Sequence, residues 1–254
     1  MARERKIALI TGASGGIGFA SVEVFAAQGW RVLAVDLNQP QGPFPGNTEF
    51  FPADLSVPGE IHALCDRLSA ELPNGLDALV NNAAHQMTKS LIETSVEEWD
   101  HTQAVNLRAP FLLTKSFYPL LKQARGSVVN VASVHALASS AGIGAYAASK
   151  SGLLALTRAM AIEFSGDGLR VNAVLPGATD TAMLEAGLER EHIKGGSKQA
   201  RKSDLSRKIL LKRLAVPEEI ARAIYFLADS KQSAYITGQS LVVDGGALAQ
   251  LSTE

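Results

Sequence analysis

The chain has 254 residues, of which 46% are hydrophobic, and its formal net charge at pH 7 is −1. This content suffices for one large α/β core, and the balanced charge provides no broad basic surface for nucleic acid. One cysteine, Cys65, excludes a disulfide framework within the chain. No apolar run reaches the length of a signal peptide or a membrane span, so we expect a cytoplasmic protein without membrane contact.

Short apolar runs alternate with segments of helical periodicity along the chain. Seven of these runs predict strands, over Lys6–Ile10, Arg31–Val35, Glu49–Pro52, Leu76–Val80, Ser127–Ala132, Leu169–Val174 and Ser240–Asp244. Helical patterns end at Gln28 and cover Val57–Leu72, Val96–Leu121, Ala145–Phe164 and Pro217–Asp229. Pro119 predicts that the third helix stops or bends there. The alternation predicts an α/β fold, with a parallel sheet covered by helices on both faces and a single domain over 1–254.

The first predicted strand leads into a glycine-rich turn, Thr11-Gly-Ala-Ser-Gly-Gly-Ile-Gly18, and then into a helix. Such a unit binds a nucleotide pyrophosphate, because backbone N–H groups face the anion and missing side chains allow close approach. The spacing of Gly12, Gly16 and Gly18 departs from the G-x-G-x-x-G fingerprint. A glycine turn alone therefore indicates a dinucleotide site only weakly.

The second predicted strand ends at Asp36, 24 residues after Gly12. A carboxylate at this offset accepts hydrogen bonds from the adenosine ribose hydroxyls and repels a 2′-phosphate, which favours NAD over NADP. No Lys or Arg follows closely, and Gly15 leaves the turn uncharged. An exposed polar residue at a strand end is the competing interpretation.

Ser133, Tyr146 and Lys150 are candidates for a catalytic set. Tyr146 and Lys150 are four apart in a helical pattern, so they share one helix face. Ser133 follows a predicted strand, whose end can converge with that helix on one cleft. A nearby positive charge lowers the pKa of a phenol, which could then exchange a proton with an alcohol oxygen held by Ser133. Taken alone, the Tyr–Lys pair would instead be interpreted as a solvated helix face.

Asparagine residues mark two further positions. Asn81 and Asn82 follow the fourth predicted strand and precede two alanines, which suits a strand end close to a ligand. A simple turn explains this pair equally well. Asn106 lies in the third helical pattern, where its side chain would bind backbone groups or hold a water near the site.

The segment from Leu188 to Arg213 contains nine Lys or Arg and three Asp or Glu. Its composition predicts a mobile substrate flap, within about 179–213, rather than core. A solvated charged surface is the favoured interpretation. The sharper hypothesis is a lid in which Lys198, Arg201 and Lys202 attract an anionic substrate or an acidic partner.

In combination, these motifs resemble the short-chain dehydrogenase/reductase family over nearly the whole chain. The resemblance rests on Thr11–Gly18, Asp54-Leu55, Asn81-Asn82-Ala83-Ala84, Asn106, Ser133, Tyr146-x-x-x-Lys150, Pro176-Gly177 and the terminal GQSLVVDGG. It implies a single doubly wound Rossmann domain with a seven-stranded parallel sheet, and hydride transfer with NAD as cofactor. Family members are commonly tetramers, so the resemblance also implies a homotetramer.

The resemblance implies roles for individual residues and no metal. Tyr146 would be the general acid/base, and Ser133 would orient the substrate oxygen. Lys150 would bind the nicotinamide ribose and lower the pKa of Tyr146, and Asn106 would hold a water in a proton relay. Asp36 would bind the adenosine ribose. The remaining cofactor contacts would come from Gly12, Ser14, Gly16, Ile17, Gly18, Asp54, Leu55, Asn82, Ala83, Ala84, Pro176, Gly177, Thr179 and Thr181.

The chain departs from the family pattern at Ala84, where glycine is usual. The extra methyl group could narrow the cofactor site, although alanine is small enough for binding to survive.

The substrate pocket is less defined by the sequence. Its expected lining is His85, Gln86, His135, Leu137, Gly142, Met183 and Leu184. His135 would address a polar substrate group or bond to its own loop, and neither interpretation has an advantage. Met183 and Leu184 indicate apolar contact, whereas the basic segment indicates a carboxylate or phosphate.

The leading hypothesis is an NAD-dependent oxidoreductase acting on a small secondary alcohol or ketone, such as a sugar, polyol, hydroxy acid or cyclic alcohol. A 3-oxoacyl-(acyl-carrier-protein) reductase is the nearest alternative, since an acidic carrier suits the basic segment. Such reductases tend to use NADPH, against which Asp36 argues. A dinucleotide-sensing protein without turnover is the alternative from another class.

Overall fold

The structure is a computed structural model that describes residues 5–189 and 197–249. Its seven strands form one sheet in the order β3-β2-β1-β4-β5-β6-β7, and every neighbouring pair is parallel. The strands are Ile7–Thr11 (β1), Arg31–Asp36 (β2), Thr48–Pro52 (β3), Ala78–Asn81 (β4), Ser127–Val131 (β5), Arg170–Pro176 (β6) and Ser240–Val243 (β7). All seven predicted strands are present, with ends shifted by at most two residues.

The α-helices of the described residues follow the strands along the chain. They are Gly16–Ala27 (α1), Pro58–Glu71 (α2), Val96–Gln103 (α3), Ala109–Ala124 (α4), Gly144–Phe164 (α5), Ala182–Gly187 (α6), Lys198–Lys208 (α7), Pro217–Ala228 (α8) and Ser230–Ser233 (α9). Helices α6 and α7 lie in the segment for which the sequence predicted a flap, and the sequence did not predict them. The mobility of that segment stays a prediction, and its residues 190–196 lie outside the described part of the chain.

Helices cover both faces of the sheet. Along β1, Leu9 packs into a core with α2, α4 and α5, whereas its neighbours Ala8 and Ile10 pack into a second core with α1 and α8. This alternation follows from the two-residue period of a strand. The predicted doubly wound α/β fold with a seven-stranded parallel sheet is thereby confirmed.

A widened turn, Ala104–Arg108, joins α3 to α4, and in it the N–H of Ala109 bonds to the carbonyl of Ala104. This five-residue spacing is that of a π-helix, which inserts one extra residue into the helical path. The turn carries Asn106, which is fully buried.

Helix α4 does not stop at Pro119 but continues to Ala124, so the predicted stop is wrong, and the alternative of a bend stays a prediction. A proline removes only one backbone hydrogen bond, and burial of Phe117 and Leu121 on either side keeps the helix in place.

Among residues 5–189 and 197–249, no helix combines the length and the apolar composition needed to cross a membrane.

Candidate active site

The glycine-rich turn between β1 and α1 is built by close backbone contacts. Gly12 has a φ of +63°, a left-handed conformation that favours glycine, and a Cβ there would lie 2.7 Å from the Cα of Ala83. A Cβ on Gly18 would lie 1.8 Å from the carbonyl oxygen of Gly12. Gly15, by contrast, has open space around it. The turn therefore packs tightly on its inner side and leaves the N-terminus of α1 open to a ligand.

Side chains from two strand ends hold this turn. The Asn82 amide donates to the carbonyl oxygens of Thr11 and Gly12, at 2.9 and 3.1 Å. The Thr11 hydroxyl accepts the N–H groups of Asn82 and Ala83, both at 3.0 Å. The side chain of Asn82, predicted as a cofactor contact, thus also supports the turn that would bind the cofactor.

Asp36 lies at the carboxyl end of β2. Its carboxylate accepts the backbone N–H of Ser14 at 2.9 Å and that of Leu37 at 2.7 Å. The Ser14 hydroxyl donates to the carbonyl oxygen of Asn38. The carboxylate is therefore fixed beside the glycine turn and half-buried, where it lines the cleft.

Ser133, Tyr146 and Lys150 meet at the end of β5, as the sequence predicted. Ser133 follows the strand, and the other two residues lie in the first turns of α5. All three are buried, with 6, 7 and 1% of their surfaces exposed. The Lys150 ammonium lies 5.6 Å from the centre of the Tyr146 ring and donates to the carbonyl oxygen of Val131 at 2.8 Å.

Burial controls the ionisation of this set. It raises the pKa of Tyr146 to about 12, although a hydrogen bond with Ser133 acts in the opposite direction. Burial also lowers the pKa of Lys150 to about 7. The lowered pKa expected for Tyr146 is therefore absent in the chain by itself, since desolvation exceeds the effect of the hydrogen bond with Ser133.

Asn106 is bonded on all sides within the protein. Its side-chain oxygen accepts the N–H of His85 at 2.7 Å, and its amide donates to the His85 carbonyl at 2.9 Å and to the Ser149 hydroxyl at 3.0 Å. These bonds tie the widened turn to helix α5 and to the chain after β4. The proton-relay water stays a prediction.

One cleft of about 1100 Å³ runs along the carboxyl edge of the sheet and contains most of the predicted site residues. The predicted residues that line it are Gly12, Gly16, Ile17, Asp36, Asp54, Leu55, Asn82, Ala83, Ala84, His85, Gln86, Ser133, His135, Tyr146, Lys150, Pro176, Gly177, Thr179, Thr181, Met183 and Leu184. Ser14, Gly18 and Asn106 are not among the lining residues. Leu137 and Gly142, predicted for the substrate pocket, do not line the cleft, because the loop carries them away from it.

The two threonines predicted as cofactor contacts donate to backbone carbonyls in this structure. The Thr179 hydroxyl donates to Gly177 and that of Thr181 to Thr179, at 3.2 and 3.3 Å. The Thr181 hydroxyl also accepts the N–H of Leu184, which makes it the N-cap of α6.

Sequence reasoning missed several residues of the cleft. His101 lines it and packs edge-on against His85, with ring centres 4.7 Å apart. Burial first, and then the proximity of His101, lower the pKa of His85. The other missed residues are Leu37, Asn38, Ala53, Val105, Val131, Ala132, Val134, Ser140 and Ala247. The segment predicted as a substrate flap also contributes lining residues that the sequence did not single out, namely Ala182, Gly187, Leu188, Leu205, Lys208 and Ile209. The helical period could have placed Val105 and His101 on one face, whereas loop residues carry no such signal.

The basic segment is partly neutralised by its own acidic neighbours. Lys202 bonds to Asp180 at 2.5 Å and to Glu185 at 2.8 Å, and Lys198 bonds to Glu185 at 2.6 Å. These lysines hold the pKa of Glu185 down at about 2. The hypothesis that Lys198, Arg201 and Lys202 attract an anion is therefore not supported for the two lysines, because both already pair with carboxylates. Arg201 donates to the carbonyl oxygen of Leu188 at 2.8 Å.

The residues along the cleft fit a nicotinamide dinucleotide. The open N-terminus of α1 suits a pyrophosphate, and a bulkier residue at Gly12 or Gly18 would collide with the turn. Asp36 presents a fixed acceptor at one end of the cleft, and Tyr146 and Lys150 lie farther along it. The fold and the site together define a dinucleotide-binding protein of the Rossmann class.

Comparison with known proteins identifies the family. Residues 12–247 match the family model described as enoyl-(acyl carrier protein) reductase. A 3-oxoacyl-(acyl-carrier-protein) reductase of Thermotoga maritima is 37% identical, over 97% of this chain and 99% of its own. A 2,3-dihydro-2,3-dihydroxybenzoate dehydrogenase of Escherichia coli is 36% identical, over 93% of this chain and 94% of its own. The structure of a 4-hydroxyisoleucine dehydrogenase complexed with NADH matches with a TM-score of 0.85 and 30% identity, over 97% of this chain and 100% of its own.

The chain belongs to the short-chain dehydrogenase/reductase family of oxidoreductases. This confirms the resemblance stated from the motifs, and with it a nicotinamide cofactor as the ligand class of the cleft.

Proposed function

We propose that the chain transfers a hydride between NAD(H) and a secondary alcohol or ketone, with Tyr146 as general acid/base. The observation that supports this most directly is the meeting of Ser133, Tyr146 and Lys150 in the cleft that also contains the glycine turn. A bound nicotinamide dinucleotide supplies the hydride acceptor or donor. Burial of the three side chains keeps bulk water from competing for the substrate oxygen.

Tyr146, Ser133 and Lys150 have different roles in the reaction at the substrate oxygen. Tyr146 keeps its proton in the described chain, so its phenol is ready to donate to a ketone oxygen as a hydroxyl forms there. Ser133 holds the same oxygen by a hydrogen bond. Lys150, whose pKa lies near 7, exchanges its own proton near neutral pH and stabilises the phenolate when charged.

Asp36 supports NAD rather than NADP as the cofactor. Its carboxylate is fixed by two backbone N–H groups where the adenosine ribose of a dinucleotide would lie. A 2′-phosphate would bring two negative charges close together there. The related 4-hydroxyisoleucine dehydrogenase is complexed with NADH.

A 3-oxoacyl-(acyl-carrier-protein) reductase is the second candidate, because a protein of that name from Thermotoga maritima is 37% identical over nearly the whole chain. Two findings weigh against it. Asp36 opposes NADPH, and the carboxylates that pair with Lys198 and Lys202 reduce the attraction of an acidic carrier. Rates with NADPH and acetoacetyl-acyl-carrier protein, compared with rates for NAD and secondary alcohols, separate the two candidates.

The Tyr146→Phe variant tests the proposed mechanism. We expect turnover with NAD and a responsive secondary alcohol to fall by about 10²–10⁴-fold, because the proton-transfer group is lost. The dissociation constant of NADH, measured by fluorescence titration, should change little. Tyr235→Phe is the matched control, since Tyr235 is fully exposed and outside the cleft. Unchanged turnover in Tyr146→Phe would contradict the assigned role. If the wild-type chain oxidised no alcohol at all, the result would favour the alternative of a dinucleotide sensor.

The homotetramer and the cytoplasmic location stay predictions that no contact of this single chain tests.

A further inference from the structure

Lys208 is a cation of the cleft that the proposed chemistry does not use. It is the last residue of α7 and lines the cleft between Leu205 and Ile209. Ile209 is buried and lies against the chain after β7, where a Cβ on Gly245 would approach it to 2.8 Å. This contact fixes the end of α7 over the cleft, so the position of Lys208 is set by packing.

The neighbouring cations have partners, and Lys208 differs from them. Arg207 lies 3.3 Å from Asp204, Arg213 lies 2.7 Å from Glu219, and Lys212 donates to the carbonyl of Arg207. Lys198 and Lys202 are paired with Glu185 and Asp180 as described above. Within residues 5–189 and 197–249, no hydrogen bond or ion pair involves the ammonium of Lys208. Its charge is therefore available to a ligand in the cleft.

Lys208 lies at the opposite end of the cleft from the acidic residues. The carboxylates among the described lining residues are Asp36, which ends β2, and Asp54, which follows β3. Helix α7 follows β6, which is four strands away from β2, or about 19 Å at 4.8 Å per strand. A negative ligand group near Lys208 is therefore not opposed by a lining carboxylate.

The walls near Lys208 are apolar. Helix α6 contributes Met183 and Leu184, and Leu188, Leu205 and Ile209 complete this side of the cleft. An ammonium beside hydrocarbon walls favours a ligand that combines an apolar body with one anionic group. Because Tyr146 lines the same cleft, the reactive hydroxyl and the anion would lie on one small molecule.

We propose that Lys208 binds the carboxylate or phosphate of the substrate, which makes the substrate an anionic secondary alcohol or its ketone, with an apolar body. This inference rests on the proposed function and names its substrate class. A hydroxy acid and an alkyl phosphate offer the same chemistry to the ammonium. A carrier protein is disfavoured, because Lys208 faces the cleft.

Binding to the complex of the chain with NADH tests this inference without turnover. Butyrate, n-propyl phosphate and the neutral butyramide are titrated calorimetrically into that complex. We expect butyrate or n-propyl phosphate to bind about three- to tenfold more tightly than butyramide, since an exposed ammonium adds a modest electrostatic gain. The anion that gains more identifies the preferred group. The advantage should shrink in high salt.

Two variants assign the effect. Lys208→Gln should remove the preference for the anion, and Arg207→Gln, which loses the same charge from the adjacent position that does not line the cleft, should keep it. The dissociation constant of NADH should be the same in all three proteins. The inference is overturned by equal or undetectable binding of all probes, by a preference that survives Lys208→Gln, or by an equal loss in Arg207→Gln. Weaker NADH binding in Lys208→Gln also overturns it, because the anion would then be a cofactor phosphate.

Activity separates this inference from the proposed function. NAD reduction with 3-hydroxybutyrate, 3-hydroxybutyramide and 2-butanol is measured in the wild type and in Lys208→Gln. If no secondary alcohol is oxidised, the proposed function fails, and the binding experiment still shows whether Lys208 binds the anionic group. If alcohols are oxidised and the charged substrate has no advantage in kcat/KM, the substrate class fails alone. We expect Lys208→Gln to raise KM for 3-hydroxybutyrate and leave kcat largely unchanged.

Discussion

Desolvation has opposite effects on the two ionisable side chains at the centre of the site. Burial keeps Tyr146 protonated and shifts Lys150 towards the neutral amine, so near neutral pH only part of the positive charge of Lys150 remains there. The sequence indicated that the two residues share a helix face, which the structure confirms. It did not indicate the pKa shifts, because burial depends on how α5 packs on β5.

Asp36 is the residue on which the proposed preference for NAD rests. We expect Asp36→Ser to raise the kcat/KM for NADP relative to that for NAD by about tenfold or more, because like-charge repulsion of the 2′-phosphate is removed. Steady-state kinetics with both cofactors at a fixed alcohol concentration measures the ratio.

Asp36→Asn separates charge from hydrogen bonding in this test. Ser14 and Leu37 bond to different carboxylate oxygens, so the single amide oxygen of asparagine can accept only one of these two N–H groups. We therefore expect the same relaxation, with part of the hydrogen bonding to the turn retained. A wild-type chain that already prefers NADPH would contradict the assignment of Asp36.

At the scale of elements, the strand–turn–helix unit from β1 to α1 was predicted well, and the segment after β6 was not. Glycine spacing and strand periodicity are local signals, and they identified the turn. Helices α6 and α7 lack a strong periodic apolar face, and their stability depends on contacts such as Lys202 with Asp180 and Glu185. Ion pairs between separate segments cannot be derived from the order of the residues alone.

Gly18 should be intolerant of any side chain. A Cβ at this position would lie 1.8 Å from the carbonyl oxygen of Gly12 and 2.6 Å from the Asn82 amide nitrogen. We expect Gly18→Ala to lower the free energy of unfolding by about 1–3 kcal/mol and to weaken NADH binding, because the turn must shift. Urea unfolding and fluorescence titration measure the two effects.

Gly15→Ala is the matched control at the same turn. Its Cβ would meet no atom within 4 Å, and its extended backbone suits any residue. We expect its stability to stay within about 0.5 kcal/mol of the wild type. An equal loss of stability in both variants would show that replacing a glycine at the start of α1, rather than a steric collision, causes the effect.

For the whole molecule, the buried amine of Lys150 links stability to pH. Its pKa falls from 10.5 to about 7 on folding, so between these values the unfolded chain binds more protons than the folded chain. Stability should therefore rise with pH across this window, by about 1 kcal/mol per pH unit, and the contribution should be lost as pH falls through 7. Urea unfolding of the chain without cofactor at pH 7.5 and 9 measures the slope.

Lys150→Met should flatten this slope, whereas the exposed Lys212→Met should preserve it. The measurement stops at pH 9 because burial raises the pKa values of Cys65 to about 11 and of Tyr146 to about 12, which makes stability fall with pH above that value. A wild-type slope that persists in Lys150→Met would show that other groups cause it.

The architecture as a whole was the most predictable part of the chain. Strands such as β1 and β5 are buried on both faces and are apolar along nearly their whole length. Continuous apolar runs of this kind, separated by helical segments, indicate a parallel sheet between two helix layers. The lining of the substrate end was the least predictable, since Leu137 and Gly142 were expected there and Lys208 was not. Loop paths decide which side chains reach a cleft, and they follow from tertiary packing.

The widened turn at Ala104–Arg108 sets the angular relation between α3 and α4. Each residue of an α-helix advances the side chains by about 100° around its axis. Without the extra residue, His101 would rotate by that angle relative to Leu113 and Phe117, which are anchored in the core. A one-residue deletion in this turn would therefore rotate α3 so that His101 no longer lines the cleft, and would leave the sheet intact. The single extra residue thus orients α3 so that it can form part of the wall of the binding site.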